Sequence, residues 1–413
     1  MSQTIIPEAS QEASDSSTID FRADGAAILH ELVTLRRELH ADPEIGTNLP
    51  RTQRRLLNAL EGLPLEITLG ERLTSIVAVL RGELPGPTVL LRGDMDGLPV
   101  TEKTGLPYRS ENGAMHACGH DLHMAGLVGA ARLLSAHRSQ IPGNVIFMFQ
   151  PGEEVLLGAK MMIDEGLLTA AGDIPVAAYG LHVAPGPFGH FALSAGTATA
   201  GSTRISITIH GKGGHGSRPH EAVDPVPILA ETILALQSLV TRQLDAQDPV
   251  VLTLTVLEAG TTGNVIPDTA TAKGTLRNLS DQALTKAKDK IARLVPAIAE
   301  AHGASAQIEM TEGCPVLVNS TELTDQSESV LSTAFGASRV TRKDTTSVMG
   351  SEDFSFVAQK VPASFFRLLV SPADLDPSET SYNHSPLVRF DDAILGDQAA
   401  ALAGLALNRL QQG

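Results

Sequence analysis

Residues 115–126 read MHACGHDLHMAG, and they set Cys118, His120, Asp121 and His123 between a polar loop and an apolar run of small residues. Four side chains able to bind a metal therefore meet at a loop-to-helix junction. The chain has only two cysteines. Cys118 has neighbours suited to a metal rather than to a disulfide, whereas Cys314 lies far downstream without them. The spacing of Cys118 and His120 puts both on one side of an extended chain. A soft thiolate beside an imidazole suits zinc, manganese, nickel or cobalt. His116 and His123 compete for the same role, and a histidine taken singly is more often a hydrogen-bonded structural group.

On either side of this stretch lie buried strands. TVLL, residues 88–91, is the continuous apolar run of a strand covered on both faces, and it ends in RGDMDG. Residues 125–134 read as a small-residue helix able to pack closely on a sheet. VIFMF, residues 145–149, is another buried strand and ends in QPGEE; residues 176–179 follow and end in GLHV. Three times an apolar strand runs into a loop carrying Asp, Glu or His, the α/β pattern in which strand C-terminal ends present the chemistry. Before them, Ile28, Leu32, Leu35 and Leu39 mark one face of a helix that ends before Asp42-Pro43. Residues 51–60 read as a second helix and residues 75–80 as a strand.

The middle third changes character. RISITIH, residues 204–210, alternates β-branched and polar residues, residues 225–239 are helix-like, residues 250–257 alternate again, and residues 269–276 are strand-like. A long helix over residues 281–301 and a strand over 306–310 complete the order β-α-β-β-α-β, a split βαβ unit inserted in the first domain. The expected organisation is a flexible tail over residues 1–21, an α/β domain over 22–200 and 311–413, and an inserted domain over 201–310. In the last segment residues 364–370 read as a strand and 391–410 as a helix.

At 413 residues the chain exceeds one ordinary core. With 31 basic against 47 acidic residues its formal charge is −16, which argues against nucleic acid and anionic membrane as partners. No stretch approaches the roughly 20 apolar residues of a membrane span, and the Ser-, Thr- and acid-rich start lacks a signal-peptide pattern. A cytoplasmic location is expected, and two cysteines fit a reducing compartment.

Glu153 and Glu154 follow the VIFMF strand. One can ligate a metal while the other takes a proton, the two roles hydrolysis needs: a metal lowers the pKa of bound water to about 7, and a general base contributes about 10²–10⁴-fold. His182 and His384 follow strand-like runs, and Ser385-Pro386 fixes a loop that can aim the His384 ring. Asp94 and Asp96 follow the TVLL strand, where a carboxylate can hold a ligand histidine's second nitrogen, although Asp96 reads nearly as well as a turn residue. In the inserted domain GKGGHGSRPH carries His215, Arg218 and His220, TTGNVIPD carries Asn264, and GTLR brings Arg277 to a strand end. Histidine and asparagine can donate to a developing oxyanion, and arginine can bind a carboxylate bidentately. The glycines do not form a phosphate loop, since neither GxxxxGK[ST] nor a post-strand GxGxxG is present.

Taken in order, RGDMDGLP, MHACGHD, QPGEE, GLHV, GGHGSRPH, GNVIPDTA and NHSP resemble the aminoacylase-type metallopeptidases and amidohydrolases. The branch they are most similar to is that of hippurate hydrolase, the N-acyl-amino-acid amidohydrolases and the auxin–amino-acid conjugate hydrolases. The resemblance runs from about residue 35 to about residue 391. It implies a zinc-peptidase-like α/β catalytic domain with a dinuclear centre of divalent ions (Mn, Zn, Co or Ni), an inserted ferredoxin-like lid, and a homo-oligomer, dimer or tetramer. It makes Cys118, His120, Glu154, His182 and His384 the metal ligands, Glu153 the general base and Asp94 an orienting acid. By the same resemblance His215 stabilises the tetrahedral intermediate, in its own or a partner's site, while Asn264 and Arg277 hold the substrate carboxylate. Arg92 stands where the wider family often has histidine, and the lid loop carries an added cation, Arg218. MGSEDFSF, residues 349–356, also resembles the family, with Glu352 and Asp353 either near the metals or capping a helix. The implied reaction is hydrolysis of N-acyl amino acids or related conjugates to a carboxylate and a free amino acid. Rival readings are a dipeptidase or carboxypeptidase of the same family and a silent conjugate-binding protein. Aromatic residues are scarce, with Phe188, Phe191 and Tyr108 available for an acyl pocket.

Overall fold

In the computed structural model, residues 19–344, 348–376 and 380–413 are described. An eight-stranded mixed sheet carries the site. Its spatial order is Leu65–Leu69, Ile76–Arg81, Pro142–Gln150, Leu84–Asp94, Ala177–Ala184, Ala363–Leu369, His190–Leu193 and Val340–Arg342. The four strands from Pro142–Gln150 to Ala363–Leu369 are mutually parallel. Their C-terminal ends therefore open on one edge, where Asp94, the Glu153-Glu154 turn and His182 come together. Successive residues of VIFMF serve opposite faces: Val145, Phe147 and Phe149 join one apolar core, Ile146 and Met148 the other. That is why the run has no polar position.

The helix His120–Ala136 begins earlier than its small-residue stretch suggests. The helix packs on the sheet, where a Cβ at Gly93 would press on its backbone at His123, and its small residues also admit a second helix: a Cβ at Gly126 would strike Gln398, and one at Gly129 would strike Ala399, both on the C-terminal helix Leu395–Gln411. Gln398 also donates to the Leu122 carbonyl at 3.0 Å.

A second sheet of four antiparallel strands runs in the order Val250–Ala259, Thr269–Asn278, Gly201–His210 and Ser305–Glu312. The helices Pro225–Gln243 and Asp281–Ala301 share a core with Ile205, Ile207 and Ile209 from its middle. Arg204 and His210, on the alternate positions, are exposed. A two-stranded ribbon pairs Gly214–His215 with Val265–Ile266.

Residues 20 and 21, expected to end the tail, belong to the fold instead. Asp20 caps the helix Phe21–Ala27 by accepting from the amides of Arg22 and Ala23, and Phe21 is buried, because an aromatic side chain at the first helical position has a core to enter. Residues 1–18 lie outside the described residues. Among the described residues no helix is long and apolar enough to cross a membrane.

Candidate metal centre and catalytic cavity

A cavity of about 450 Å³ opens at the C-terminal edge of the parallel strands, and its wall includes Cys118, Glu153, Glu154, His182, Arg277 and His384. Gly119 builds the first corner. Its φ of +85° turns the chain from Cys118 into the helix that starts at His120, and a Cβ there would run into Val183. Cys118 and His120 are thus not neighbours on an extended strand, as their spacing suggests; a left-handed glycine and a helix N-terminus converge them instead.

The Cys118 Sγ lies 3.3 Å from Nε2 of His182 and 3.3 Å from Nε2 of His384. Glu154 Oε1 lies 3.5 Å from His384 Nε2 and 3.9 Å from His120 Nε2. Donor atoms of Cys118, His120 and His182 fall within 4.8 Å of one another, and so do those of Cys118, Glu154 and His384 and those of His120, Glu153 and Glu154. His120 Nε2 and Glu154 Oε1 are buried without a hydrogen-bond partner. Orphaned buried donors and acceptors are costly, and here both face the same cluster.

The rings are held from behind. His120 gives its Nδ1 proton to the Asp96 carbonyl at 2.8 Å and His182 gives its own to the Val183 carbonyl at 2.8 Å, so both leave Nε2 free for the cluster. The sequence reading expected Asp94 to orient a ligand histidine. Asp94 lies 3.2 Å from His120 Nε2 with one oxygen and contacts His123 Nδ1 at 2.5 Å with the other, while His123 Nε2 accepts the Val183 amide at 2.8 Å. Both nitrogens of His123 are thereby occupied, which removes it as a rival to His120. Asp121 is bound by Arg36 at 2.6 Å and His40 at 2.8 Å, away from the cluster. His384 sits at a φ of +73°, rare for a side chain with a Cβ, and Asn383 ties this loop to the carbonyls of Cys118 and Val183.

Charge is concentrated and buried. Arg92 donates to Asp94 at 2.7 Å, to Glu352 at 2.7 Å and to Gln150 at 2.9 Å, and Gln150 in turn donates to Asp353 at 2.6 Å. Burial alone would raise Asp94, but Arg92, His120 and His123 hold it well below the usual carboxylate range. Burial drives Glu153 well above that range, helped by Glu352, Glu154 and Asp353. Burial likewise takes Glu154 to about 7 and Asp353 to about 8, and lifts the Cys118 thiol to about 11. His120 is raised despite burial, chiefly by the Asp94 carboxylate. Glu352 both lies beside Glu153 and caps, accepting the Phe354 amide at 3.0 Å.

Arg277 reaches the cavity and donates to Ser351 Oγ. His215 and Asn264 do not line it; they lie together on the exposed ribbon, where the His215 ring accepts from the Ser217 amide at 3.1 Å. Arg218 pairs with Glu221 at the surface. The aromatic expectations fail: Phe191 is buried in the core, Tyr108 packs under Arg36 and Arg37, and Phe188 is exposed outside the cavity, whose aromatic wall is Phe365 and Tyr382. Residue type alone marked Asp96 as a histidine support or a turn former but missed its role, in which its two carboxylate oxygens accept the amides of Glu153 and Glu154. It also missed Asn383, although its place in NHSP was a signal.

The sheet edge and the buried Cys, His and Glu donors define a metal-dependent hydrolase. A model of peptidase family M20/M25/M40 matches residues 90–408, and the chain belongs to that family, whose members hydrolyse amide bonds. It is 38% identical to thermostable carboxypeptidase 1 of Saccharolobus solfataricus, over 82% of this chain and 85% of that one. It is 33% identical to an IAA-amino acid hydrolase of Arabidopsis thaliana over 99% of this chain and 93% of that one. A solved Bacillus subtilis structure, described as a dinuclear metal-binding M20 peptidase, superposes with a TM-score of 0.79 at 29% identity, covering 93% of this chain and 99% of that one.

Proposed function

We propose that this cavity hydrolyses N-acyl amino acids or related amino-acid conjugates, with Cys118, His120, Glu154, His182 and His384 holding two divalent ions. The observation that carries the reading is the pair of orphaned buried atoms, His120 Nε2 and Glu154 Oε1, within a Cys-His-His-Glu-His donor set. Such ions would lower the pKa of a bound water and polarise the amide carbonyl. Glu153 takes the proton from the attacking water as it adds to the amide carbon, then returns it to the leaving nitrogen as the C–N bond breaks. Asp96 fixes the backbone from which Glu153 projects. Arg277 holds the amino-acid carboxylate and is kept in place by Ser351. Donor chemistry suits Mn, Zn, Co or Ni, and turnover of N-acetyl and N-benzoyl amino acids with each metal in turn ranks them.

We read residues 201–310 as an inserted, ferredoxin-like lid on a catalytic domain formed by 22–200 and 311–413. The strand order of the four-stranded sheet supports this, as do its two helices and separate core. His215 and Asn264 then serve the cavity of a second copy in a homo-oligomer, His215 donating to the oxyanion and Asn264 to the substrate carboxylate. Their exposure outside their own cavity favours this arrangement, as do exposed Val251, Val256 and Leu257 on the outer strand Val250–Ala259.

The deciding experiment is Glu153→Gln with metal content measured alongside: turnover should fall by about 10²–10⁴-fold with ions still bound. Near-full turnover would reject the mechanism. Mixing inactive His215→Ala with inactive Glu153→Gln should restore activity if the lid histidine acts across the interface. A carboxypeptidase reading is favoured by the archaeal relative's name, and comparing N-acetyl amino acids with unblocked dipeptides separates the two.

A further inference from the structure

We infer that the catalytic cavity continues into a cationic subsite, formed around Arg367 and Lys343, that takes an acyl group ending in a second carboxylate. This rests on the amidohydrolase reading above and names its substrate class.

A second cavity of about 310 Å³ adjoins the first, and Thr199, Phe365 and Arg367 line both. Arg367 sits opposite His182 in the parallel pairing of Ala363–Leu369 with Ala177–Ala184. Register partners project to the same face of a sheet, so the guanidinium leaves the sheet on the side of the proposed metal cluster. Beyond it the second cavity is walled mainly by Leu193, Phe366, Leu369 and other apolar groups, with Lys343 at its edge and no acidic side chain in its lining.

Neither cation is engaged. Among the described residues the side chains of Arg367 and Lys343 make no hydrogen bond or ion pair, whereas that of their neighbour Arg342 is bound by Asp325, Glu328 and Asp344. In a chain of net charge −16, where acids to pair with are plentiful, two unpaired cations at one apolar cavity are an arrangement for an incoming anion. Arg367 is half-buried, so it has given up part of its hydration without a protein partner. A carboxylate would supply charge-assisted, bidentate hydrogen bonds, and the apolar wall would cover the methylenes leading to it. The amino-acid carboxylate already has Arg277, which lines the first cavity and not the second. The additional anion is therefore assigned to the acyl side.

The test compares an N-glutaryl amino acid with the N-valeryl derivative of the same amino acid, using the metal-loaded full chain. The wild type should favour the glutaryl substrate in kcat/KM by about 10- to 100-fold, the range of a charge-assisted hydrogen bond. Arg367→Met should bring that ratio to about one, mainly through KM, and Arg367→Lys should recover part of it. In titration calorimetry free glutarate should bind and valerate should not, with binding lost in Arg367→Met and weakened in Lys343→Met. An unchanged ratio in Arg367→Met, equal losses on both substrates, or equal binding of glutarate and valerate would overturn the inference. If neither substrate is cleaved the amidohydrolase reading fails, while selective, Arg367-dependent glutarate binding would still support the anion subsite.

Discussion

Asp96 accepts the backbone amide of Glu153 with one carboxylate oxygen at 3.0 Å, and its other oxygen takes the amide of Glu154 at 3.1 Å. One side chain at the end of a strand thus sets the turn from which both the proposed base and a proposed ligand project. Its own carbonyl fixes the His120 ring as well. Asp96→Ala should weaken metal binding by about 10–100-fold, the usual cost of losing such an outer support, and lower kcat further by loosening Glu153. Metal titration beside steady-state kinetics checks this; intact affinity with intact kcat would show that the turn holds without the clamp.

The Arg92 guanidinium is fully buried and is the shared counter-ion of Asp94 and Glu352, with Asp353 at 3.5 Å. Removing one member of a buried ionic set leaves the others unpaired, which costs about 3–5 kcal/mol. Arg92→Met should shift the urea midpoint accordingly with an unchanged slope. Adding Glu352→Gln should return part of the loss, because it removes one of the stranded charges.

Gly119→Ala meets two separate obstacles, a φ of +85° and the Val183 side chain. A positive φ costs a residue with a Cβ about 1–3 kcal/mol, and the clash adds to it. Val183→Ala in the same chain should relieve only the clash, so the double variant should be more stable than Gly119→Ala yet remain below Val183→Ala alone. Thermal denaturation of the three variants separates the terms.

The parallel core was legible because VIFMF and the VLL of residues 89–91 leave no polar position, as expected of a strand buried on both faces. The candidate donors stood out by residue type, although they come from a helix start (Cys118, His120), a turn (Glu154), a strand (His182) and a loop (His384). What the residues did not disclose was orientation. Asp94 and Asp96 are the same residue type two positions apart, and only the fold sends Asp94 to His123 and Arg92 and sends Asp96 to the Glu-Glu turn. The glycines at 126 and 129 announced close packing but not the partner, since a C-terminal helix some 270 residues away fills the space. The short strands His190–Leu193 and Val340–Arg342, at one side of the sheet, carry too few residues for a periodicity and were not anticipated.

The buried acids also give the metal-free protein a characteristic dependence on pH. Burial holds Glu154 at about 7 and Asp353 at about 8, and Glu153 well above the usual range, whereas unfolded carboxylates titrate near 4. Between those values the folded state binds more protons than the unfolded state, so stability falls as pH rises. Below about pH 7 the depressed histidines His116, His123, His182 and His384 oppose the trend, because the unfolded chain then binds the extra protons. Above pH 7 those histidines are neutral in both states and the acids dominate. The metal-free protein should therefore lose thermal stability from pH 7 to 8.5. Divalent ions should reverse the loss, because they bind the deprotonated donors and displace the same protons. Calorimetric metal titrations in buffers of different ionisation enthalpy should register proton release. A melting temperature that rises from pH 7 to 8.5 without metal, or metal uptake that releases no protons, would show that the buried acids are already ionised in the folded chain.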